Sequence, residues 1–438
     1  MKAYIHIFTL AALFVLLLAA VSAADNPAVG GALTLKDCIN TALRQSPLIK
    51  SSEFDIEASS ESVKGAKGAM YPRLDLGAAY FRENRDVPYI PAQSAVIPPK
   101  FSDEVYSWSA ILTMPVYEGG RLSGQVKVSE LENAIQSSRR DFTVQDVVAN
   151  VTNTFNKLLQ LKELKKANVY SVQALESQKD NTELLVKAGR AANVELLRVE
   201  VQLASEKQNL VKTEEAINRA GYALGFLMGV KEGQVTDVSG NLTRMESISA
   251  GDVDKLIMSR PDVVAARKRV QQEKARVDIA SGKRYPTLSL VGDYGNRAGA
   301  GLSGREEVWE AGAIISVNIF DAGIISSEIG REKALYHKSK EELRLLELRA
   351  KQQASDALSQ LREADSRFNL AGKALAQSEE TLRIEQLKYK TGAGTITDVL
   401  LAESAMSEAQ ANYYQALYDY NAAITEFKRA TGTIEVKG

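Results

Sequence analysis

Hydrophobic residues change from a helical to an alternating spacing at two points of the chain. The change follows Tyr71-Pro72 and, far downstream, Tyr285-Pro286. Alternation is typical of a strand with one apolar face, and a proline keeps the residue before it out of helical geometry. A second alternating stretch follows each of these, so the sequence predicts four strands of about ten residues. The predicted apolar face comprises Leu74, Leu76, Ala78 and Tyr80; Trp108, Ala110, Leu112, Met114 and Val116; Leu288, Leu290, Gly292 and Tyr294; and Ala311, Ala313, Ile315, Val317 and Ile319.

The paired changes of pattern belong to an internal repeat. The segment GAMYPRLDLGAAY (68–80) is matched by GKRYPTLSLVGDY (282–294), an offset of 214 positions. Further along, VYEGG (116–120) is matched by IFDAG (319–323), an offset of 203 positions. A repeat of this length predicts two halves with equivalent structures.

We assign the first repeat to residues 24–240 and the second to residues 241–438. The change in offset, 214 − 203 = 11 residues, makes the connection between the first two strands longer than the connection between the last two. The longer connection, residues 87–101, carries Pro88, Pro91, Pro98 and Pro99. Such a segment predicts an exposed loop rather than a central strand or a helix.

Long helices account for most of each repeat. A helical pattern begins after Gly120 and after Gly323 and continues for about 68 residues, which is about 100 Å of helix. Its apolar residues include a 4-3-4-3 series typical of coiled coils, formed by Val144, Val148, Val151, Phe155 and Leu158. The chain is predicted to turn at Gly189 and Gly392 and to return in a second helix of about 37 residues. The first helix of the repeat, residues 35–70, has the right length to lie end to end with that returning helix.

Four strands are too few to close a membrane barrel. Barrels that span the outer membrane have at least eight strands, and lipid does not tolerate the unpaired edges of an open sheet. Closure therefore requires several copies of the chain, each contributing two equivalent strand pairs.

The N-terminal residues favour export. Residues 1–23 combine Lys2, a short apolar stretch and the small residues Val21-Ser22-Ala23, which is typical of a secretory signal peptide. No later segment approaches the length of apolar sequence needed for a transmembrane helix. Cys38 is the single cysteine of the chain, and we expect it to be a buried, small apolar residue.

The order and spacing of several motifs resemble the TolC family of outer-membrane efflux and secretion channels over nearly the whole mature chain. The motifs are LTLKDCINTALRQSPLI (33–49), the two YP-x-L-x-L junctions, PVYEGG (115–120), NIFDAG (318–323) and KYKTGAGTITDVL (388–400). Asn318 and Ala322 depart from the proline and glycine that the family usually has.

The resemblance implies a mainly α-helical chain with a small β part. Three copies would form a twelve-stranded β-barrel in the outer membrane, continued by a long periplasmic α-barrel. The family implies a homotrimer that contacts outer-membrane lipid and works with a periplasmic adaptor and an inner-membrane pump. The channel would export small molecules or proteins, as part of a tripartite efflux pump or a type I secretion system.

The resemblance also implies roles at the helix tips. Asp398, with Glu195 at the equivalent position of the first repeat, would contribute to a ring of acids at the closed periplasmic mouth, and Tyr389 matches a tyrosine that holds the tip shut. A simpler alternative is that Asp398 only stabilises the start of its helix. Leu401 and Gly394 replace an acidic residue and a basic latch residue of some members, so the latch would be built differently. The tip turns, where an adaptor would dock, are Gly189, Gly392 and Gly394, and the helix–strand junctions are Tyr71, Pro72, Tyr285, Pro286, Gly120 and Gly323.

Other classes of function are disfavoured. The near-neutral formal charge of −1 gives no support for nucleic-acid binding. GAGLSG (299–304) matches the letters of a dinucleotide fingerprint but lies between two strands, and His337, the single mature histidine, has no partner for a metal site or a triad. We therefore expect neither an enzyme nor a cofactor. The remaining alternative is a periplasmic coiled-coil scaffold without a channel.

Overall fold

The computed structural model describes residues 32–92, 94, 96–230, 235, 237–246 and 252–435. The predicted signal peptide, residues 1–23, lies outside the described residues. The helices are α1 (Leu35–Gln45), α2 (Pro47–Gly68), α3 (Arg121–Lys187), α4 (Asn193–Met228), α5 (Val253–Met258), α6 (Pro261–Gly282), α7 (Ile324–Lys390) and α8 (Ile396–Thr431). The strands are β1 (Arg73–Ile90), β2 (Lys100–Glu118), β3 (Thr287–Ala298) and β4 (Glu306–Ser316).

Three of the four helices of the first repeat correspond residue for residue to helices of the second. The long helices α3 and α7 have 67 residues each, the returning helices α4 and α8 have 36 each, and α2 and α6 have 22 each. Each long helix starts after a glycine in the left-handed region, Gly120 or Gly323. The repeat read from the sequence is therefore a repeat of structure.

The helices form a wall in which short helices are stacked end to end beside long ones. Helices α2 and α4 both pack against α3, and α6 and α8 both pack against α3 and α7. A Cβ placed on Gly229, after α4, would lie 2.9 Å from Pro47 Cδ at the start of α2. The predicted end-to-end stacking is confirmed, and the order across the wall is α2/α4, α3, α6/α8, α7.

The first helix of each repeat is broken, whereas the sequence predicts one continuous helix over residues 35–70. Residues 35–70 form α1 and α2, separated at Ser46 by Pro47, and the second repeat is interrupted in the same place before Pro261. A proline is favourable in the first turn of a helix and unfavourable inside one. Pro47 therefore starts α2 rather than continuing α1.

The main hydrophobic core lies where α1, α3, α4 and the segment joining the repeats meet. It includes Cys38, which is fully buried as expected, with Val151 and Leu224. The joining segment contacts both repeats, because Ser239 N donates to Leu33 O and Met245 N donates to Asn421 Oδ1. The division at residue 240 stays a prediction.

The four strands form one antiparallel sheet in the order β1–β2–β3–β4. Leu76, Ala110, Tyr294 and Trp309 follow one another across the sheet in register, so they lie on one face. This agrees with the alternation in the sequence. The predicted length is correct for β3 and β4, with 12 and 11 residues, but too short for β1 and β2, with 18 and 19.

Two boundaries of the sheet differ from the prediction. The sequence predicts a loop over residues 87–101, but residues 87–90 and 100–101 belong to β1 and β2, and Pro88 pairs with Phe101. Proline is compatible with this position because the pairing of β1 with β2 is irregular on both sides of it. At the other edge β4 ends at Ser316, so Val317 and Ile319 lie beyond it. In the described part of the chain, none of the helices is long and apolar enough to cross a bilayer.

Candidate functional site

The residues that the sequence predicts at the periplasmic gate lie together at the ends of the long helices, at the end of the molecule opposite the sheet. Gly189 and Gly392 both have left-handed backbones, with φ of 70° and 77°. Each permits the tight helix ending in which the next amide bonds a carbonyl of the last turn; Arg190 N donates to Leu185 O and Ala393 N to Lys388 O. The predicted turns are therefore confirmed as turns of the backbone.

Gly394 has a different role from the two turn glycines. Its φ is not in the left-handed region, but a Cβ there would lie 3.0 Å from Lys388 Cβ. The glycine therefore lets the chain pass close to the end of α7 before α8 begins.

Asp398 closes a capping box at the start of α8. Its Oδ2 accepts from Thr395 N (3.1 Å) and Thr395 Oγ1 (2.7 Å), and Asp398 N donates to Thr395 Oγ1 (3.3 Å). These hydrogen bonds, helped by the charge of Lys388, lower the pKa of the exposed Asp398 carboxyl. Asp398 is therefore ionised and oriented, and it has the helix-starting role of the simpler alternative. Glu195 lies at the equivalent position of α4 but makes no such cap, because Ala192 replaces the threonine.

Tyr389 connects the second repeat to the first. Its ring packs against Val199 of α4 as well as Ile396 and Val399 of α8. Burial and the neighbouring Glu195 carboxylate raise the pKa of the Tyr389 hydroxyl, while a hydrogen bond with Thr182 of α3 opposes that shift. The structure thus brings Tyr389 and Glu195 together between the two helical hairpins.

A direct polar contact between the tips was not foreseen from the sequence. Arg198 Nη1 on α4 donates to Thr397 Oγ1 on α8 at 2.6 Å. This contact joins the two hairpins at the start of α8. The sequence carries no signal for it, since Arg198 lies in no motif and an isolated arginine near a helix start is usually solvated.

Two carboxylates are buried farther from the tip, in the same contact between α4 and α8. Glu206 is 4% exposed and Glu403 is 8% exposed. Glu206 has only long hydrogen bonds of 3.4 Å from Gln202 and Asn209. Burial, followed by the charge of Glu206, raises the pKa of Glu403 to about 7. The sequence does not reveal this pair, because neither glutamate can be told from a surface residue without knowing how α4 and α8 pack.

The helix–strand junctions lie at the opposite end of the helices. Tyr71 and Tyr285 are exposed there, and each is followed by a proline that lies directly before a strand. Gly119 lies in the left-handed region against Gly282, where a Cβ would be 2.2 Å from the Gly282 carbonyl oxygen. Ala322, at the equivalent position of the second repeat, keeps a left-handed φ of 52° although it is not glycine.

The model of the outer membrane efflux protein family matches residues 38–230 and 253–433. The pyoverdine export outer membrane protein OpmQ of Pseudomonas aeruginosa is 24% identical over 389 residues, which cover 87% of this chain and 81% of the relative. The outer membrane protein TolC of Escherichia coli is 21% identical over 410 residues, covering 89% and 80%. The outer membrane channel CmeC of Campylobacter jejuni has the same fold, with a TM-score of 0.79, 16% identity, and coverage of 92% of this chain and 87% of that one.

Proposed function

This chain belongs to the outer membrane efflux protein family, and from that premise we propose that three copies form the exit duct of a tripartite efflux pump or a type I secretion system. The family is one of outer-membrane channels rather than enzymes. The relatives support this channel reading and give no support to a periplasmic scaffold.

One observation carries the proposal: the sheet and the helical wall both have two free lateral sides in the single chain. Strands β1 and β4 are the edges of the sheet, and α2 with α4 and α7 are the edges of the wall. A twelve-stranded barrel over a closed helical cylinder removes all of these edges at once. The apolar face of the sheet would contact outer-membrane lipid, with Trp108, Tyr294 and Trp309 in the aromatic belt.

We assign the periplasmic gate to the contact between the two helix tips. Tyr389 and Arg198 join the hairpins, and Asp398 with Glu195 would supply the acids facing the threefold axis. The helix turns at Gly189 and Gly392 would contact the periplasmic adaptor, through which the inner-membrane pump delivers its substrate. Both turns are exposed in the single chain.

The experiment is to purify the protein from outer membranes in mild detergent and measure both its mass and its conductance in planar bilayers. We expect trimers and discrete, cation-selective conductance steps. A monomer found in the soluble fraction after lysis would favour the scaffold instead.

A further inference from the structure

Helices α3 and α6 form the contact between the two repeats within one chain. Lys268 Nζ on α6 donates to Ala134 O (3.0 Å) and Ser138 Oγ (2.9 Å) on α3. Farther along, Gln272 Nε2 donates to Val128 O at 3.2 Å. These contacts fix the register of α3 against α6.

The same contact is closest near the sheet. A Cβ on Gly124 of α3 would lie 2.6 Å from Ile279 Cγ1 of α6, so the isoleucine occupies the space that the glycine leaves free. Farther from the sheet, Val128 of α3 and Ala275 of α6 are both buried, at 5% and 2% exposed.

The outermost helices of the wall are the repeat equivalents of this pair. Helix α2 corresponds to α6 at the offset of 214, and α7 corresponds to α3 at the offset of 203. Among the described elements, no other helix packs on the outer side of α2 or of α7. We propose that α7 of one copy packs on α2 of the next in the register that α3 and α6 already use, with an ion pair between Arg331 and Glu61 at its centre. This inference rests on the proposed trimer.

The Arg331–Glu61 pair is found by replacing each buried residue of the α3–α6 contact with its equivalent in the other repeat. Val128 corresponds to Arg331, and Ala275 corresponds to Glu61. An apolar contact inside the chain is thus replaced by two opposite charges, one on each free face. These side chains are exposed in the single chain, and within its described residues they bond only to neighbours on their own helices, Lys64 and Glu332.

Other positions of the proposed contact between α7 and α2 of the next copy also favour close packing. Gly124 and Ile279 correspond to Ser327 and Gly65, so both sides are small where one side is large inside the chain. A Cβ on Gly65 would meet nothing within 4 Å in the single chain. Small residues on both helices let the backbones approach, which shortens the distance that the Arg331 and Glu61 side chains must span.

Charge alone does not select these residues. Glu57 on α2 and Lys333 on α7 are also exposed and oppositely charged. Their equivalents, Gln271 and Glu130, are exposed, and Glu130 pairs with Lys67 of α2 rather than with α6. The proposed register therefore places Glu57 and Lys333 outside the new contact, which makes them matched controls.

The first test reverses the charges. Glu61→Arg and Arg331→Glu should each lower the trimer-to-monomer ratio by about fivefold or more, because like charges would meet at a closed contact. The double variant, carrying both changes, should recover the wild-type ratio, and Glu57→Arg and Lys333→Glu should leave it unchanged. Mass photometry in mild detergent gives the ratio. Single variants that match the controls, or a double variant without recovery, would overturn the ion pair.

The second test traps the register with cysteines. With Cys38 changed to serine, Gly65→Cys and Ser327→Cys in one chain should form disulfide-linked trimers under mild oxidation, since disulfides need Cα atoms within about 7 Å. The control combines Ser51→Cys with Ser327→Cys. Ser51 lies on the same face of α2 as Gly65 but about 21 Å away along the helix, so this pair should remain uncrosslinked. Crosslinking of the displaced pair instead would overturn the register while leaving the trimer intact. A wild-type protein that is monomeric and does not conduct would refute the proposed function itself.

Discussion

At the residue scale, the helix tips combine a structural role that is observed with a functional role that is proposed. Asp398 is held by Thr395 in a capping box, and it is also the acid that the family resemblance places at the gate. The two roles do not compete, because the cap uses one carboxylate oxygen, Oδ2, and leaves the group ionised and exposed. The two roles can be separated by changing one residue at a time.

Asp398→Asn should reduce cation selectivity and weaken block by divalent cations in planar bilayers, because it removes a charge from the proposed acid ring. The matched control is Thr395→Ala, which removes the hydroxyl of the cap but keeps the carboxylate. That variant should lose about 1 kcal/mol of stability and conduct with wild-type selectivity. If the alanine variant changed selectivity and the asparagine variant did not, Asp398 would serve the helix start alone.

Glu403 should make stability depend on pH. Its folded-state pKa of about 7 exceeds the ordinary value of 4.5, so the folded protein holds this proton more tightly than the unfolded chain. The resulting stabilisation is complete below pH 4.5 and is lost as the pH rises through 7. Glu403→Gln should therefore match the wild type at low pH and exceed it at pH 8, by at most about 3 kcal/mol.

Thermal unfolding between pH 4 and 8 measures this difference. Glu200→Gln is the matched control, because Glu200 is the repeat equivalent of Glu403 but bonds to Lys179 at 3.3 Å and is half exposed. Equal pH profiles for the Glu403 variant and the wild type would show that the buried carboxyl does not titrate in this range.

At the scale of elements, periodicity and repeats predicted most of the structure. The glycines at residues 120, 189, 323 and 392 mark the ends of the long helices correctly, since the left-handed geometry restricts these positions. The pattern failed where tertiary context decides, as at Pro88, which is tolerated because the pairing of β1 with β2 is irregular there. It also could not reveal Arg198 or the Glu206–Glu403 pair, because these depend on how α4 meets α8.

The connection between β1 and β2 packs on the connection between β3 and β4, so both lie at the same end of the sheet. Tyr89, near the end of β1, donates to Gly304 O at 3.2 Å, and Ala300 N donates to Ser102 Oγ at 2.9 Å. The helices leave the sheet at its other end. If the helices extend into the periplasm, these hairpin ends must lie at the cell surface.

A cysteine at Val96 tests this topology, because Val96 is 88% exposed in the connection between β1 and β2. With Cys38 changed to serine, Val96→Cys should react with a membrane-impermeant maleimide on intact cells. A cysteine at exposed Arg190, in the tip turn, is the control and should react only after the outer membrane is permeabilised. The reverse pattern would invert the orientation of the whole molecule.

At the scale of the whole molecule, one duplication explains both the wall and the sheet. Each repeat supplies two strands and one helical hairpin with its stacked short helix, so the contact inside the chain and the contact between chains can use the same geometry. The sheet faces differ in polarity, and this difference decides how the assembly meets the membrane. Leu290 lies on the apolar face between Met114 and Ala313, while its neighbour Ser289 lies on the other face between Pro115 and Ile314.

Leu290→Arg should therefore reduce the amount of folded trimer in the outer membrane, since an arginine on the lipid face costs about 2–4 kcal/mol near the bilayer centre. Ser289→Arg is the matched control at the same depth, and it should assemble normally because its side chain would face the water-filled interior. Trimer is measured in isolated outer membranes by electrophoresis without heating. Equal loss in both variants would mean that the two faces meet similar surroundings, which a membrane barrel does not provide. Greater loss for Ser289→Arg would mean that the sheet is turned with its apolar face inward.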